Sequence, residues 1–217
     1  MEITQIIKER KSIRAFKPEP LAHDIIENIL EMAIYAPSAI NLQPWEIYVV
    51  SGKEKERLSH TLLKAYKEKR LSCGPSLEKP LPKTISSRGA ITLQKQKPYI
   101  EQMNIPFDVF VNEGSCNFYG APAVIIICID NSFSKIHVLD IGIILGYLLL
   151  IAHNFQISTC PIGLITSYED EIKDLLNIPD NKKVVIGVAL GYADPEKPVN
   201  QFKSHREELG KLVKWIE

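Results

Sequence analysis

The chain has 217 residues, with 26 Lys and Arg against 26 Asp and Glu and a pI near 7.0. That length predicts one domain, able to bury roughly 70% of its unfolded surface without a metal or disulfide staple. Balanced charge argues against the one-sided positive field of a nucleic-acid binder. The four cysteines, Cys73, Cys116, Cys128 and Cys160, have no C-x-x-C spacing and point to reduced thiols in a cytoplasmic protein.

The first residues carry an acid where a signal peptide would place bases, and no hydrophobic run follows. Ile3, Ile6 and Ile7 have the spacing of a short amphipathic helix. A second helix is predicted with Leu21, Ile25, Ile29 and Ala33 on one face, stopped by Pro37. Trp45–Ser51 reads as a strand. Ser51 and Glu54 then have capping-box spacing before a helix with Leu58, Leu62 and Ala65 inward. Residues 64–97 hold nine Lys or Arg and two Glu, with Pro75, Pro80 and Pro82 among them. They are predicted as an irregular, solvated excursion, part of a lid-like insertion over about residues 70–112. A short helix is predicted over residues 99–111.

Residues 123–129, A-V-I-I-I-C-I, form a continuous apolar run that suits a strand covered on both faces. Residues 138–155 are predicted as a buried helix; their apolar stretch, 141–152, is shorter than the ~18–20 residues that cross a bilayer. Gly142 and Gly146, one helical turn apart, would permit a close helix crossing. Ser167 and Asp170 suggest a cap for a helix that ends before Pro179. Residues 184–190, V-V-I-G-V-A-L, read as another buried strand. The tail from about residue 195 is polar until Leu209, Leu212, Val213, Trp215 and Ile216. About four strands among helices give an α+β or mixed α/β domain.

Several chemistries lack their residues. There is no G-x-G-x-x-G, P-loop or G-x-S-x-G, and none of the five histidines has zinc-like spacing to other ligands. An enzyme with this sequence would draw its hard chemistry from a bound organic cofactor. Two segments remain. Arg10, Lys11, Ser12 and Arg14 lie in R-K-S-I-R, where alternate residues of an extended strand face one way. Guanidinium forks beside a hydroxyl suit a phosphomonoester, although the run also suits a solvated turn after a helix. The loop A-P-S-A-I-N-L-Q-P-W, residues 36–45, offers uncharged hydrogen-bonding groups between two prolines. It suits the polar edge of a heterocycle, or simply a stiff helix-to-strand connection.

Together, R-x-S-x-R followed downstream by A-P-S-x-x-N-x-Q-P-W resembles the start of the FMN-dependent nitroreductase family. N-F-Y-G-A-P before the apolar strand, Asp140-x-Gly142, C-P-I-G at residues 160–163, and V-I-G-V-A-L-G-Y followed by Arg206 resemble later parts of it. The resemblance covers the chain except for residues 70–115. It implies a nitroreductase-like α+β fold: a central mixed, mainly antiparallel sheet of four to five strands flanked by helices, in a two-fold homodimer. It implies FMN bound through Arg10, Lys11, Ser12, Arg14, Lys203 and Arg206. Pro37, Ser38, Ala39 and Asn41 would come from the other subunit, and Pro161, Ile162 and Gly163 would line the flavin ring, with a further contact within 66–71. Gly163 is followed by Leu164 and Ile165, without the acidic residue of some relatives. The implied activity is electron transfer from NADPH or NADH through flavin N5 to a small acceptor, such as a nitroaromatic or quinone, with ping-pong kinetics. No catalytic side chain, metal, nucleic acid or membrane is implied. The region from about residue 195 to the end would be a dimer-wrapping arm, or would close back on its own subunit. Reductive dehalogenation, flavin fragmentation, non-catalytic redox sensing and flavin-free nucleotide binding remain alternatives.

Overall fold

The apolar strands predicted from the sequence meet at the centre of one sheet. The structure, a computed structural model, describes residues 2–71 and 80–217, so Cys73 and Pro75 lie outside the described residues. In chain order the elements are α1 (Ile3–Glu9), α2 (His23–Ala33), β1 (Trp45–Ser51), α3 (Gly52–Lys69), α4 (Lys83–Glu101), α5 (Phe107–Cys116), β2 (Ala123–Asp130), α6 (Val138–Asn154), β3 (Ser158–Ile162), α7 (Glu169–Leu176), β4 (Lys182–Gly191) and a short α8 (Leu209–Leu212). The sheet order is β1-β2-β4-β3, and every strand pair is antiparallel. The single parallel pairing among the described residues is an isolated bridge between Ser12 and Thr159.

The period of two along β2 builds three layers. Val124, Ile126 and Cys128 point to a core shared with Leu58 and Leu62 of α3 and Ile172 of α7. Ala123, Ile125, Ile127 and Ile129 point the other way, to Ile26 and Ile29 of α2 and Ile141, Ile144 and Leu148 of α6. Both faces are dry, which is why the strand reads as an unbroken apolar run. Cys116, Cys128 and Cys160 are buried free thiols, and burial pushes the first two up to about 12.

β3 is an edge strand, so Pro161 costs no interior ladder bond. Its free edge is used by the N-terminal segment. Ile13 N–H donates to Thr159 O at 3.0 Å, Lys17 N–H to Tyr192 O at 2.9 Å, and Asp194 N–H to Ala15 O at 3.1 Å. Residues 12–17 are thereby laid along β3 and the end of β4, and the R-x-S-x-R motif is fixed by backbone bonds. Gly191 permits this approach: an added Cβ would meet Pro122 Cδ at 2.6 Å and Phe16 Cδ1 at 3.0 Å.

Several elements differ from the sequence reading. Most of the described residues of 64–97 are helical rather than irregular: α3 continues to Lys69 and α4 spans Lys83–Glu101, with 70–71 and 80–82 outside both. Its apolar residues do not recur at helical spacing on one buried face; Ile85, Ile91 and Leu93 are exposed. A polar helix gives no periodic signal. No helix runs over 99–111, because the chain breaks between α4 and α5 with Asn104 in the left-handed region. Neither sequence-predicted cap forms: Ser51 makes no side-chain cap bond, Glu54 pairs with Arg57 at 2.9 Å, and α7 is preceded by Tyr168 rather than by Ser167.

Helix α6 is buried on one side only. Ile141, Ile144, Leu148 and Ala152 face the sheet, while Leu139 is 63% exposed and Ile143 and Tyr147 lie in the open beside it. An added Cβ at Gly142 or Gly146 would meet nothing within 4 Å. The helical run Lys135–Asn154 has 20 residues and mean hydropathy 2.0, so by length and composition it could cross a membrane, unlike the shorter stretch considered from sequence. Its inner face packs in the α2–sheet layer instead.

The crowding at Gly191 gives a test of how the N-terminal segment is held. Gly191→Ala should destabilise the fold by about 1–3 kcal/mol through overpacking. In urea unfolding the midpoint should fall with an unchanged slope.

Candidate functional site

The segment laid along the β3 edge brings its cations to one place. Arg10, Lys11, Ser12 and Arg14 line a pocket of about 140 Å³ together with Ser204 and Arg206 from the C-terminal segment. Thr92 and Gln96 of α4 and Phe202 complete its wall. Lys203 is near enough to act on Lys11 electrostatically. No carboxylate lines this pocket, and among the described residues none of these five cations has an ion-pair partner.

The cations pay one another no favour. Burial, and then the charge of Arg206, holds the Arg10 guanidinium below its ordinary value. Burial, and then Lys203, does the same to Lys11. Both shifts have the sign that a bound anion would reverse. Burial pushes the nearby Cys160 thiol up in spite of Arg14 and Arg10, and Ser12 is hydrogen-bonded to it. The chemistry of this donor set is that of a phosphomonoester site: guanidinium forks, an ammonium and hydroxyls.

The geometry is held by a residue the sequence reading missed. Asn200 is buried; its Oδ1 accepts Arg14 N–H at 2.9 Å, and its Nδ2 donates to Ala15 O at 2.7 Å and Asp194 O at 2.9 Å. Lys11 Nζ donates to the Asn200 carbonyl. One asparagine thus ties the N-terminal segment to the C-terminal one. The Arg206 guanidinium is turned onto Ser204 Oγ at 2.6 Å and the carbonyls of Ser204 and His205. Arg14 is hydrogen-bonded to Tyr119 and also lines an adjoining cavity of about 330 Å³ floored by Phe16, Leu63, Met103 and Phe110.

The loop 36–45 is not in this pocket. Pro37, Ser38 and Ala39 line a separate cavity of about 320 Å³ with the start of α6. Ile40, Asn41 and Gln43 have φ of 42°, 58° and 48°. A β-branched residue rarely takes that conformation, and such strain persists only where neighbours impose it. Here Ser38 Oγ accepts Gln43 N–H at 2.9 Å, and Asp140 Oδ1 accepts Ala39 N–H at 3.3 Å. Asp140 is in turn bonded to His137 Nδ1 at 3.0 Å. Ile40, at the tip, is 90% exposed.

Pro161 and Ile162 end β3, and Gly163 follows with open space where a side chain would stand. Within 66–71, Lys69 pairs with Glu171 at 2.6 Å and Leu71 O accepts the Tyr168 hydroxyl at 3.0 Å. None of those six residues lines the cationic pocket.

Replacing the tie should loosen one segment selectively. Asn200→Ala leaves buried backbone groups unpaired and should lower unfolding free energy by about 1–3 kcal/mol. Amide exchange at Arg14 should accelerate more than exchange in β2.

Comparison with known proteins fits this architecture. A 4-nitrobenzoate reductase of Pseudomonas putida is 32% identical over 211 residues, covering 93% of this chain and 90% of that protein. The nitroreductase NfnB of Mycolicibacterium smegmatis is 29% identical over 214 residues, covering 97% and 91%. The crystal structure of the FMN-dependent nitroreductase NfnB from Mycobacterium smegmatis in complex with NADPH superposes with a TM-score of 0.90 at 29% identity, over 99% of this chain and 97% of that one. The FMN and NADPH-dependent nitroreductase NfnB from sphigopyxis sp. strain HMH shares the fold, with a TM-score of 0.92 at 22% identity and full coverage of both chains. The model of the nitroreductase family matches residues 7–192, and the chain belongs to that family.

Proposed function

We propose that this protein is an FMN-dependent oxidoreductase of the nitroreductase type, which takes electrons from NADPH or NADH and reduces a small acceptor such as a nitroaromatic or quinone. The observation that carries the reading is the cationic pocket without a carboxylate, in a chain whose relatives include an FMN-dependent nitroreductase in complex with NADPH. When bound, FMN supplies the redox chemistry through its N5.

The protein's own part is binding, orientation and charge. Arg10, Ser12, Arg14, Lys203 and Arg206 would hold the phosphate and ribityl chain. Lys11 has its ammonium engaged by Asn200, which leaves its backbone for the cofactor. Pro161, Ile162 and Gly163 would line the flavin ring at the end of β3, where the open space at Gly163 admits a close neighbour. Gathered cations favour an anionic, reduced flavin over a neutral one.

The reading includes a homodimer. Pro37, Ser38, Ala39 and Asn41 stand apart from the cationic pocket of their own chain, which suits a contribution to the site of a partner subunit. The outer face of α6 supplies a matching surface: Leu139, Ile143 and Tyr147 are exposed around two glycines that allow close helix approach. Leu209, Leu212, Trp215 and Ile216 are exposed as well, which favours an arm that wraps a second copy. The insertion over about 70–112, built as α4 and α5 where described, would cover the flavin and select the acceptor.

The purified protein should show two visible flavin bands that bleach when NADPH is added under nitrogen. A protein that stays colourless after addition of FMN would refute the cofactor assignment. Initial rates at varied NADPH and acceptor should give parallel lines, and intersecting lines would exclude sequential use of one site. Gly142→Leu should fill the open space on α6. Sedimentation should then show a shift from dimer to monomer with weaker FMN retention; an unchanged holo-dimer would remove α6 from the interface.

A further inference from the structure

Helix α4 carries polar groups that the reading above leaves unused. Arg88, Thr92, Gln96 and Tyr99 recur at i, i+4, i+8 and i+11, so they form one stripe along the helix. That stripe faces the C-terminal segment. Arg88 Nε pairs with Glu207 Oε2 at 3.5 Å, and the Tyr99 and Phe202 rings pack with centroids 5.9 Å apart. Between these two ties, Thr92 and Gln96 line the cationic pocket. Thr92 has its hydroxyl engaged, donating to Arg88 O at 2.8 Å.

Gln96 is different. It is only 6% exposed, and its Nε2 is buried without a hydrogen-bond partner. Buried amide donors without a partner are rare, and one beside a ligand pocket points to a partner that arrives with the ligand. The pocket it lines already holds Arg10, Lys11, Arg14 and Arg206 with no acid among them. A glutamine there adds a donor without adding another positive charge to groups that already repel.

We infer that Gln96 is a phosphate-binding residue of the cofactor site, donating from Nε2 to a phosphate oxygen of FMN, and that α4 is therefore a wall of that site. This rests on the FMN reading given above. It places the cofactor's anchoring group and the covering helix in direct contact, so movement of α4 is coupled to retention of FMN. Gln96 is a binding residue in this account and takes no part in electron transfer.

Riboflavin shares the ring and ribityl chain of FMN and lacks its phosphate, which makes the test selective. Flavin-stripped full-length protein is titrated with FMN and with riboflavin by quenching of flavin fluorescence. The wild type should bind FMN more tightly. Gln96→Leu should raise the Kd for FMN about tenfold, the scale of one hydrogen bond to a charged group. Its Kd for riboflavin should not move. Gln96→Glu keeps the shape and replaces a donor with an anion that repels phosphate or occupies the arginines; it should weaken FMN further and again spare riboflavin. Unchanged riboflavin binding also reports that both variants are folded. Equal weakening of both flavins would make Gln96 a packing residue and overturn the inference, as would no change with FMN. A wild type that binds neither flavin, or does not distinguish them, would overturn the cofactor reading itself, and this inference with it.

Discussion

Five cations are gathered where no carboxylate compensates them, and the structure is arranged to keep them there. Repulsion between Arg10 and Arg206, and between Lys11 and Lys203, would be relieved if either segment moved away. Neither segment can do so cheaply. The N-terminal one is hydrogen-bonded to β3 and to the end of β4, and Asn200 fastens it to the C-terminal one through both its side chain and its carbonyl. Glu207, next in sequence to Arg206, pairs instead with Arg88, His205 and Lys211. On the proposed reading the pocket is preorganised for the phosphate dianion of FMN, because separation of the two segments is opposed by backbone bonds and by Asn200.

How much of this was legible depended on whether a residue's role left a pattern. The R-x-S-x-R segment was visible because its polar groups alternate, and the 36–45 loop because its uncharged polar groups are fenced by two prolines. β1, β2 and β4 were visible because both sheet faces are covered and the apolar runs are continuous. β3 gives no strand signal in the sequence, since five residues with a proline carry no alternation. Asn200 gave no signal: a lone asparagine in a polar tail looks like solvated chain, and its importance comes from contacts with residues far away in sequence. Helix α4 was hidden for the opposite reason to a core helix. Its useful stripe is polar, so a search for apolar periodicity passes over it, and Pro80 and Pro82 suggest a loop that gives way to helix at Lys83.

The α6 helix shows a different limit. Its sequence is apolar nearly all round, which is the signature of a helix buried on every side. Within one chain it is buried on the sheet side alone. Composition reports how much surface must be covered and says nothing about whether the cover belongs to the same molecule. The glycines favour the proposed dimer: an added Cβ at Gly142 or Gly146 would meet nothing within 4 Å among the described residues of this chain.

The strained loop and the outer α6 face meet at Asp140, which links the two features. This carboxylate lies in the first turn of α6, receives Ala39 N–H from the loop and is bonded to His137. The loop's left-handed residues, Ile40, Asn41 and Gln43, therefore take their position from the same helix whose apolar side is exposed. On the dimer reading, helix and loop would meet the partner together, with Ile40 leading. Strain at residues 40–43 is then set against contacts made only in the assembled protein. On that reading, association and completion of the flavin site would be one event, which would account for the separation between the pocket of Arg10, Ser12 and Arg14 and the pocket of Pro37, Ser38 and Ala39.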